Sequence, residues 1–364
     1  MTNSDDAGFM ARALNLATQG QYTTDPNPHV GCVLVKKGVI IAEGWTQRAG
    51  QAHAEIHALN KTHDARGATA YVTLEPCSHY GRTGPCCDAL IDAGIGRVVV
   101  AMSDPNPLVS GQGLQKLRAA GISVEQGLLQ QEAMQLNRGF FKRMQQGLPW
   151  ITSKLAMSMD GRTALASGES RWITSAQSRQ DVQRWRAASS AIITGIGTVL
   201  HDDPQLNARV DFDLVEPVTV VLDTHLRMPL TAKMLQNRSE TWLFTCSDNL
   251  LKQRQLQDAG CKIWQVTAVN QRPNLHEVFK LLAAQQINTA WVEAGATLNG
   301  ALLESNLVDE WLIYMATCIL GDQGRGLFHL PGIQTMTQKK QLNLLNIRQI
   351  GPDLRLTFTS QTPT

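Results

Sequence analysis

The apolar positions divide the chain into two series of short elements. In the first, FMARALNLATQG (residues 9–20) sets Phe9, Ala13, Leu14 and Ala17 on one helical stripe that Gly20 closes. VGCVLV, a KKG turn and VIIAEGW read as a β-hairpin. HAEIHALNK predicts a helix, ATAYVTLEP a strand, CDALIDAG a helix and RVVVAM an apolar, buried strand. GLQKLRAAG and ISVEQGLL add a further helix and strand, and QQEAMQLNRGFFKRM predicts one closing helix before Gly147 to Pro149 breaks the pattern. The second series runs WITSKLAM, the helix AQSRQDVQRWRAAS, then AIITG, VTVVLD, TWLFT and KIWQV. It continues with the helix LHEVFKLLAAQQ, then AWVEAG, EWLIYMA and the closing pair LNLLNIRQI and LRLTFTS. Strands alternating with helices predict α/β layering in both halves, the first as a three-layer sandwich. The domains are expected at 1–146 and 150–364, with no repeat relating them.

Length agrees, since 364 residues exceed one ordinary core. Net charge is only +2 and the basic residues are scattered. That argues against nucleic acid or an anionic membrane and for a small-molecule partner. The N-terminal stretch has neither the charged nor the apolar region of a signal peptide, and no run approaches eighteen apolar residues. Seven cysteines without a regular framework then point to reduced thiols and metal ligation, so the expected compartment is the cytoplasm.

The chemistry concentrates in HAEIHAL (53–59) and EPCSHYGRTGPCC (75–87). A catalytic zinc takes three protein ligands and keeps a fourth position for water. His53, Cys77 and Cys86 supply that set, and Glu55 is left to take a proton from the water and pass it to a leaving amine. His53 and Glu55 are two residues apart, so on a helix they converge only on something off its N-terminus, where the positive helix end favours anions. His57, one turn on, remains open as a ligand, but packing or a supporting hydrogen bond is the preferred reading. Cys86 and Cys87 cannot easily face one metal together. With Pro85 as the first helical residue, Cys86 stands at the helix start and Cys87, like Cys32, reads as a buried small hydrophobe. H-x-E followed by P-C is a zinc-deaminase signature, although here eight residues, not two, separate the cysteines. A structural zinc site would want a fourth protein ligand and would leave Glu55 without purpose.

Upstream, TTDPNPHVGCVLV resembles the Asn-Pro-x-Val-Gly loop of the cytidine deaminase superfamily. The long PCSHYGRTGPCC form resembles the deaminase half of the bifunctional riboflavin-biosynthesis deaminase/reductase family. The resemblance covers about Phe9 to Met144. It implies that Asn27 bonds the substrate's sugar or base, that Gly31 permits close backbone approach, and that the inserted loop faces a ribose phosphate through His79 and Arg82. The plainer reading of an exposed loop arginine is a solvated charge.

In the second half, KLAMSMDGRTA (154–164) resembles the Lys-x-x-x-Ser-x-Asp-Gly segment of that family's dihydrofolate-reductase-like domain. From the residues alone, Lys154 sits at one end of an apolar strand, and an edge-strand charge is the bland alternative. No G-x-G-x-x-G follows any strand, so a Rossmann site is not supported. Two glycine turns, AIITGIGTVLHDDP and AWVEAGATLNGALL, do follow strands, and such turns let backbone N–H groups meet a pyrophosphate. The resemblance makes Lys154 catalytic and implies NADPH contacts at Ala156, Trp172, Thr198, Asp202 and Thr224. It adds the turn Gly295, Ala296, Thr297, Leu298, Asn299, Gly300 and Ala301. Ser170, Arg186, Leu206, Arg209 and Glu293 correspond to substrate contacts. Helix capping is the alternative for Asp202, and a solvated charge for Arg209.

The resemblance therefore implies a cytidine-deaminase-like domain followed by a dihydrofolate-reductase-like domain, with Zn²⁺ and NADPH as cofactors. The substrate would be a phosphoribosyl pyrimidine, first deaminated and then reduced on its ribosyl chain, with no nucleic-acid or membrane partner, in a homo-oligomer. A nucleic-acid-editing deaminase and a non-catalytic zinc-stabilised binding protein are the rivals. Near-neutral charge opposes the first, and the spare Glu55 opposes the second.

Overall fold

The computed structural model describes residues 4–78, 80, 84–106 and 110–360. Two compact units divide them, residues 1–147 with 213–215 and residues 148–212 with 216–364.

The first unit runs α1 (Ser4–Ala17), β1 (Gly31–Lys36), β2 (Val39–Trp45), α2 (Ala54–Leu59), β3 (Thr69–Val72) and α3 (Cys86–Asp92). β4 (Arg97–Val100), α4 (Gln112–Ala119), β5 (Ser123–Gln126), α5 (Gln130–Leu136) and α6 (Arg138–Gln146) follow. Its sheet has the order β2-β1-β3-β4-β5. β1 and β2 form the expected antiparallel hairpin, and β3, β4 and β5 run parallel. Two glycines fix the layers. A Cβ on Gly31 would fall 1.9 Å from Ala13 O, and one on Gly44 would fall 2.3 Å from Ala54 O. Gly31 pairs with Trp45, the neighbour of Gly44, so the two glycines face opposite sides of the sheet. α1 therefore presses on one face and α2 on the other, at contact distances only glycine allows. The backbone that approaches Gly31 is thus a helix of its own fold.

The closing helix of the first series is two helices. Asn137 leaves helical geometry (φ −111°, ψ 20°). Its side chain donates to His29 O at 2.8 Å and accepts from His29 N–H at 2.7 Å. The apolar period continues across the break, so sequence pattern alone read one element. A partner 108 residues away decided otherwise.

The second unit runs β6 (Trp150–Met157), β7 (Arg162–Ala164), α7 (Ala176–Ala187), β8 (Ala191–Gly195), α8 (Ile196–Asp202), β9 (Val218–Leu222), β10 (Thr241–Thr245) and α9 (Leu250–Asp258). Next come β11 (Cys261–Gln265), β12 (Ala268–Val269), β13 (Arg272–Pro273), α10 (Leu275–Ala284), β14 (Thr289–Glu293) and α11 (Ala296–Glu304). β15 (Glu310–Met315), β16 (Arg325–Gly326), β17 (Leu342–Ile350) and β18 (Asp353–Ser360) close it. The main sheet has nine strands in the order β11-β10-β9-β8-β14-β6-β15-β18-β17. It is parallel from β11 to β15, and β18 and β17 are added antiparallel. Its strands bury both faces: Ala290 and Val292 pack into one core and Trp291 into the other, and Ile193 and Ile192 divide likewise. β14 returns late in the chain to lie between β6 and β8, so the order reverses there, the position at which open α/β sheets bind ligands. No described helix of the chain is long and apolar enough to cross a membrane.

Candidate active sites

In the first unit, His53 is the extended N-cap of α2 (φ −69°, ψ 166°) and Glu55 lies in its first turn, only 3 % exposed. Cys77 sits in the loop after β3, and Cys86 is the first residue of α3, with Pro85 as its N-cap, so the helix begins one residue later than the sequence predicts. The three donor atoms lie within 4.8 Å of one another. His53 Nδ1 is 3.6 Å from Cys77 Sγ and 3.3 Å from Cys86 Sγ. With Zn–S near 2.3 Å and Zn–N near 2.05 Å, a tetrahedral site has N–S edges of about 3.6 Å. Donor set and spacing both fit zinc.

Electrostatics agree. Hydrogen bonds with Cys86 and His53 draw the Cys77 thiol down to about 4, and the same bond to Cys77, with burial, pushes Cys86 up. A divalent cation at this point would hold both as thiolates. Burial, with the charge on Cys77, raises Glu55 to about 7, as a group that must both take and give a proton requires.

The other sequence candidates separate clearly. His57 lies outside the donor group: its ring packs edge-on to Trp45 at 4.7 Å and Nδ1 contacts Gln47 Nε2 at 2.9 Å. The Cys87 thiol is buried and donates to Pro76 O at 3.1 Å, and Cys32 belongs to the core. Asn27 is partly buried, and its N–H donates to Thr24 O at 2.9 Å. His79 and Arg82 lie outside the described residues.

In the second unit, Lys154 stands within β6 between β14 and β15, so it is not an edge-strand charge. It is in register with Glu293 at the end of β14. Arg186 of α7 grips the Glu293 carboxylate with two nitrogens at 2.5 and 2.9 Å, and Trp291 Nε1 donates to it at 2.8 Å. Burial alone would raise Glu293, but Arg186, with help from Lys154, holds it down at about 2. Burial lowers Lys154. Trp291 was not among the expected residues, although it precedes Glu293 by two and so shares its strand face.

Both glycine turns prove to be helix starts. Gly195 and Gly295 are the extended N-caps of α8 and α11, directly after neighbouring parallel strands. A Cβ on Gly195 would lie 3.7 Å from Leu298 Cδ2, which places the two starts together. Residues 296–301 are therefore helical. Gly295 and Thr297 are exposed, Ala296, Leu298 and Ala301 partly so. Asn299 turns inward, accepting from Ser153 Oγ at 2.8 Å, and Gly300 lies against His329 O.

Ala156 lies on β6 and is partly exposed, and Thr198 is in α8. Asp202 ends α8 and accepts from Arg171 Nη2 at 3.4 Å. Trp172 is 70 % exposed beneath the Arg179 guanidinium at 4.4 Å, and Ser170 is two residues before it. The side chain of Leu206 is buried in the core at a left-handed backbone position (φ 50°), so backbone is what it could offer a ligand. Arg209 is exposed and its N–H donates to Gln183 Oε1 at 2.9 Å, while Thr224 O accepts from Thr245 Oγ1 at 3.2 Å.

Comparison with known proteins covers nearly all of the chain. The family described as "RibD C-terminal domain" matches residues 149–356, and "Cytidine and deoxycytidylate deaminase zinc-binding region" matches residues 3–102. The Riboflavin biosynthesis protein RibD of Escherichia coli (strain K12) is 48% identical over 96% of this chain and 98% of its own, and that of Haemophilus influenzae is 48% identical over 98% of each. Among solved structures, Acinetobacter baumannii RibD superposes with a TM-score of 0.91 at 44% identity, covering 98% of this chain and 99% of that one. A Thermotoga maritima diaminohydroxyphosphoribosylaminopyrimidine deaminase/5-amino-6-(5-phosphoribosylamino)uracil reductase does so with a TM-score of 0.86 at 31% identity, over 98% and 99% of the two chains. The chain belongs to the RibD family and is a bifunctional deaminase and reductase of riboflavin biosynthesis, with a zinc-binding deaminase domain and an NADPH-dependent reductase domain.

Proposed function

We propose that the two steps named for the Thermotoga maritima protein are the two steps of this chain, in the same order along the sequence. Residues 1–146 would remove an amino group from the diaminopyrimidinone ring of a phosphoribosyl substrate, and residues 150–364 would reduce the ring-opened ribosyl chain to ribityl. The observation that carries the first assignment is the spacing of His53, Cys77 and Cys86, with buried Glu55 two positions from His53.

His53, Cys77 and Cys86 would hold zinc. Bound zinc supplies a Lewis acid and a water acidic enough to react near neutral pH. Glu55 receives the proton on its carboxylate and returns it to the departing amine. Its burial keeps that carboxyl poised between the two states. Asn27 would bond the ring or sugar, and His79 and Arg82 the phosphate.

In the second unit NADPH supplies the hydride. Ala156, Trp172, Thr198, Asp202, Thr224 and the start of α11 from Gly295 to Ala301 would hold it. The paired helix starts offer backbone N–H groups for its pyrophosphate. Glu293, fixed as an anion by Arg186, would accept hydrogen bonds from ribose hydroxyls, with Ser170, Leu206 and Arg209 around it. Lys154, beside Glu293, would orient the reacting end of the sugar chain and stabilise charge on its oxygen.

The partner is a small molecule, and we propose a cytoplasmic homo-oligomer. The outermost strand of the large sheet, β17, supports assembly with its own kind, because Leu344, Leu345 and Ile347 on it are all more than half exposed. Assay of the full chain with the diaminopyrimidinone substrate tests the reading. Ammonia should appear without NADPH, and NADPH oxidation should follow only once the deaminated product has formed. NADPH oxidation by the undeaminated compound at equal rate would overturn the order.

A further inference from the structure

The chemistry assigned above uses Cys77 and leaves unused the buried carboxylate two residues before it. Glu75 is only 6 % exposed, yet four backbone N–H groups converge on it. Oε1 accepts from Gly113 at 2.8 Å and Leu114 at 3.3 Å, in the first turn of α4. Oε2 accepts from Gly111 at 2.9 Å and Asp104 at 3.1 Å, on the approach to that helix. The Glu75 N–H donates in turn to Met102 O at 2.9 Å, just past β4. Carboxylate is the fitting group here, being all acceptor, whereas an amide would turn its NH₂ toward two donors.

The residue between Glu75 and Cys77 is clamped as well. Pro76 O accepts the Cys87 thiol at 3.1 Å, and a Cβ on Gly113 would fall 2.2 Å from the same oxygen. Cys77 O accepts from Cys87 N–H at 3.1 Å. The chain entering Cys77 is thus held from one side by the N-terminus of α4 and from the other by α3, the helix that carries Cys86.

We infer that Glu75 is a positioning residue for the metal site: by binding the start of α4 and the backbone N–H groups of Asp104 and Gly111, it fixes the distance of Cys77 Sγ from His53 and Cys86. It touches neither metal nor substrate and acts through the Glu75–Pro76–Cys77 backbone. The inference rests on Cys77 being a ligand. Partners that orient metal ligands typically change metal affinity 10–100-fold when removed.

The test uses the full-length protein loaded with Zn²⁺, or with Co²⁺ as a spectroscopic stand-in, and reads metal instead of turnover. Glu75→Gln should release zinc to an excess of chromogenic chelator roughly 10–100-fold faster than wild type, and its cobalt–thiolate absorption should shift in energy or intensity. Glu75→Asp keeps the charge but is one methylene shorter, so its release rate should lie between the two. A role confined to general stability would lower the unfolding temperature and leave both release rate and cobalt spectrum at wild-type values. That result would overturn the inference. If Glu75→Gln does not fold, as circular dichroism would show, Glu75→Asp decides, and wild-type release from it overturns the inference equally. Cys77→Ser separates the two claims. If it retains zinc as wild type does, the ligand assignment fails and the inference with it. If it loses zinc while folded Glu75→Gln holds zinc normally, only the inference fails.

Discussion

The metal-donor group of the first unit and the Glu293 cluster of the second are both charged groups drawn out of water, but the chain builds them differently. His53, Cys77 and Cys86 come from one stretch of 34 residues, at a helix start, a loop and another helix start. Lys154, Arg186 and Glu293 span 140 residues and meet only because β14 inserts beside β6 and α7 covers the result. The first group is arranged to satisfy its charge with a cation brought from outside. The second satisfies it internally, through a two-pronged guanidinium on a carboxylate. Removing a component should therefore have different consequences: loss of metal and one activity in the first unit, loss of stability in the second.

Chelation gives the largest contrast. Stripping zinc from the full chain should abolish ammonia release and leave NADPH-dependent reduction of the deaminated compound near its starting rate. Reduction that stops with the zinc, in protein still folded by circular dichroism, would break the comparison. Cys86→Ser should reproduce the chelated state, while Cys87→Ser should keep most of both zinc and activity. The reverse pattern would make Cys87 the ligand.

Next in size is Glu55→Gln. The ligands remain, so metal analysis should find zinc at wild-type content, while deamination falls by about 10²–10⁴-fold. Normal turnover in this variant would remove Glu55 from the proton path.

Glu293→Gln probes the internally paired cluster. It leaves the buried Arg186 without its counter-charge, and broken pairs of this kind cost roughly 3–5 kcal/mol, readable by denaturant unfolding. The pH dependence follows from the sign of the shift. Glu293 sits near 2 in the fold against an ordinary 4.5, so it binds protons more weakly when folded. Its stabilisation is complete above about pH 4.5 and is lost as pH falls toward 2. The wild-type second unit should lose stability over that window, and the glutamine variant should lose less. Equal acid limbs in both proteins would mean that the pair is not the titrating element.

The smallest effect is expected at Asp202→Asn. Its partner Arg171 is exposed, and such pairs contribute about 0–1 kcal/mol. Unfolding should be nearly unchanged, so any marked loss of NADPH or substrate binding would report ligand contact and not stability.

Local spacing pointed to the first donor group because its members lie at element boundaries that leave their own marks. Pro85 precedes the helix that Cys86 begins, and His53 caps the helix that carries Glu55. The same logic placed Cys86 in the donor group and Cys87 behind it. Alternating strands and helices likewise announced both sheets, since period 2 and period 3.6 are properties of short segments. Tertiary structure decided the rest. Strand order made Lys154 interior, because a strand does not encode its neighbours. Asn137 split an apolar stripe to bind His29, and Glu75 found its four donors in a segment about 30–40 residues on; a side chain reaching a distant backbone has no periodicity to betray it. Short-range pattern marked the elements and the metal-donor residues, and long-range hydrogen bonds and strand insertion determined how firmly the charged groups are held.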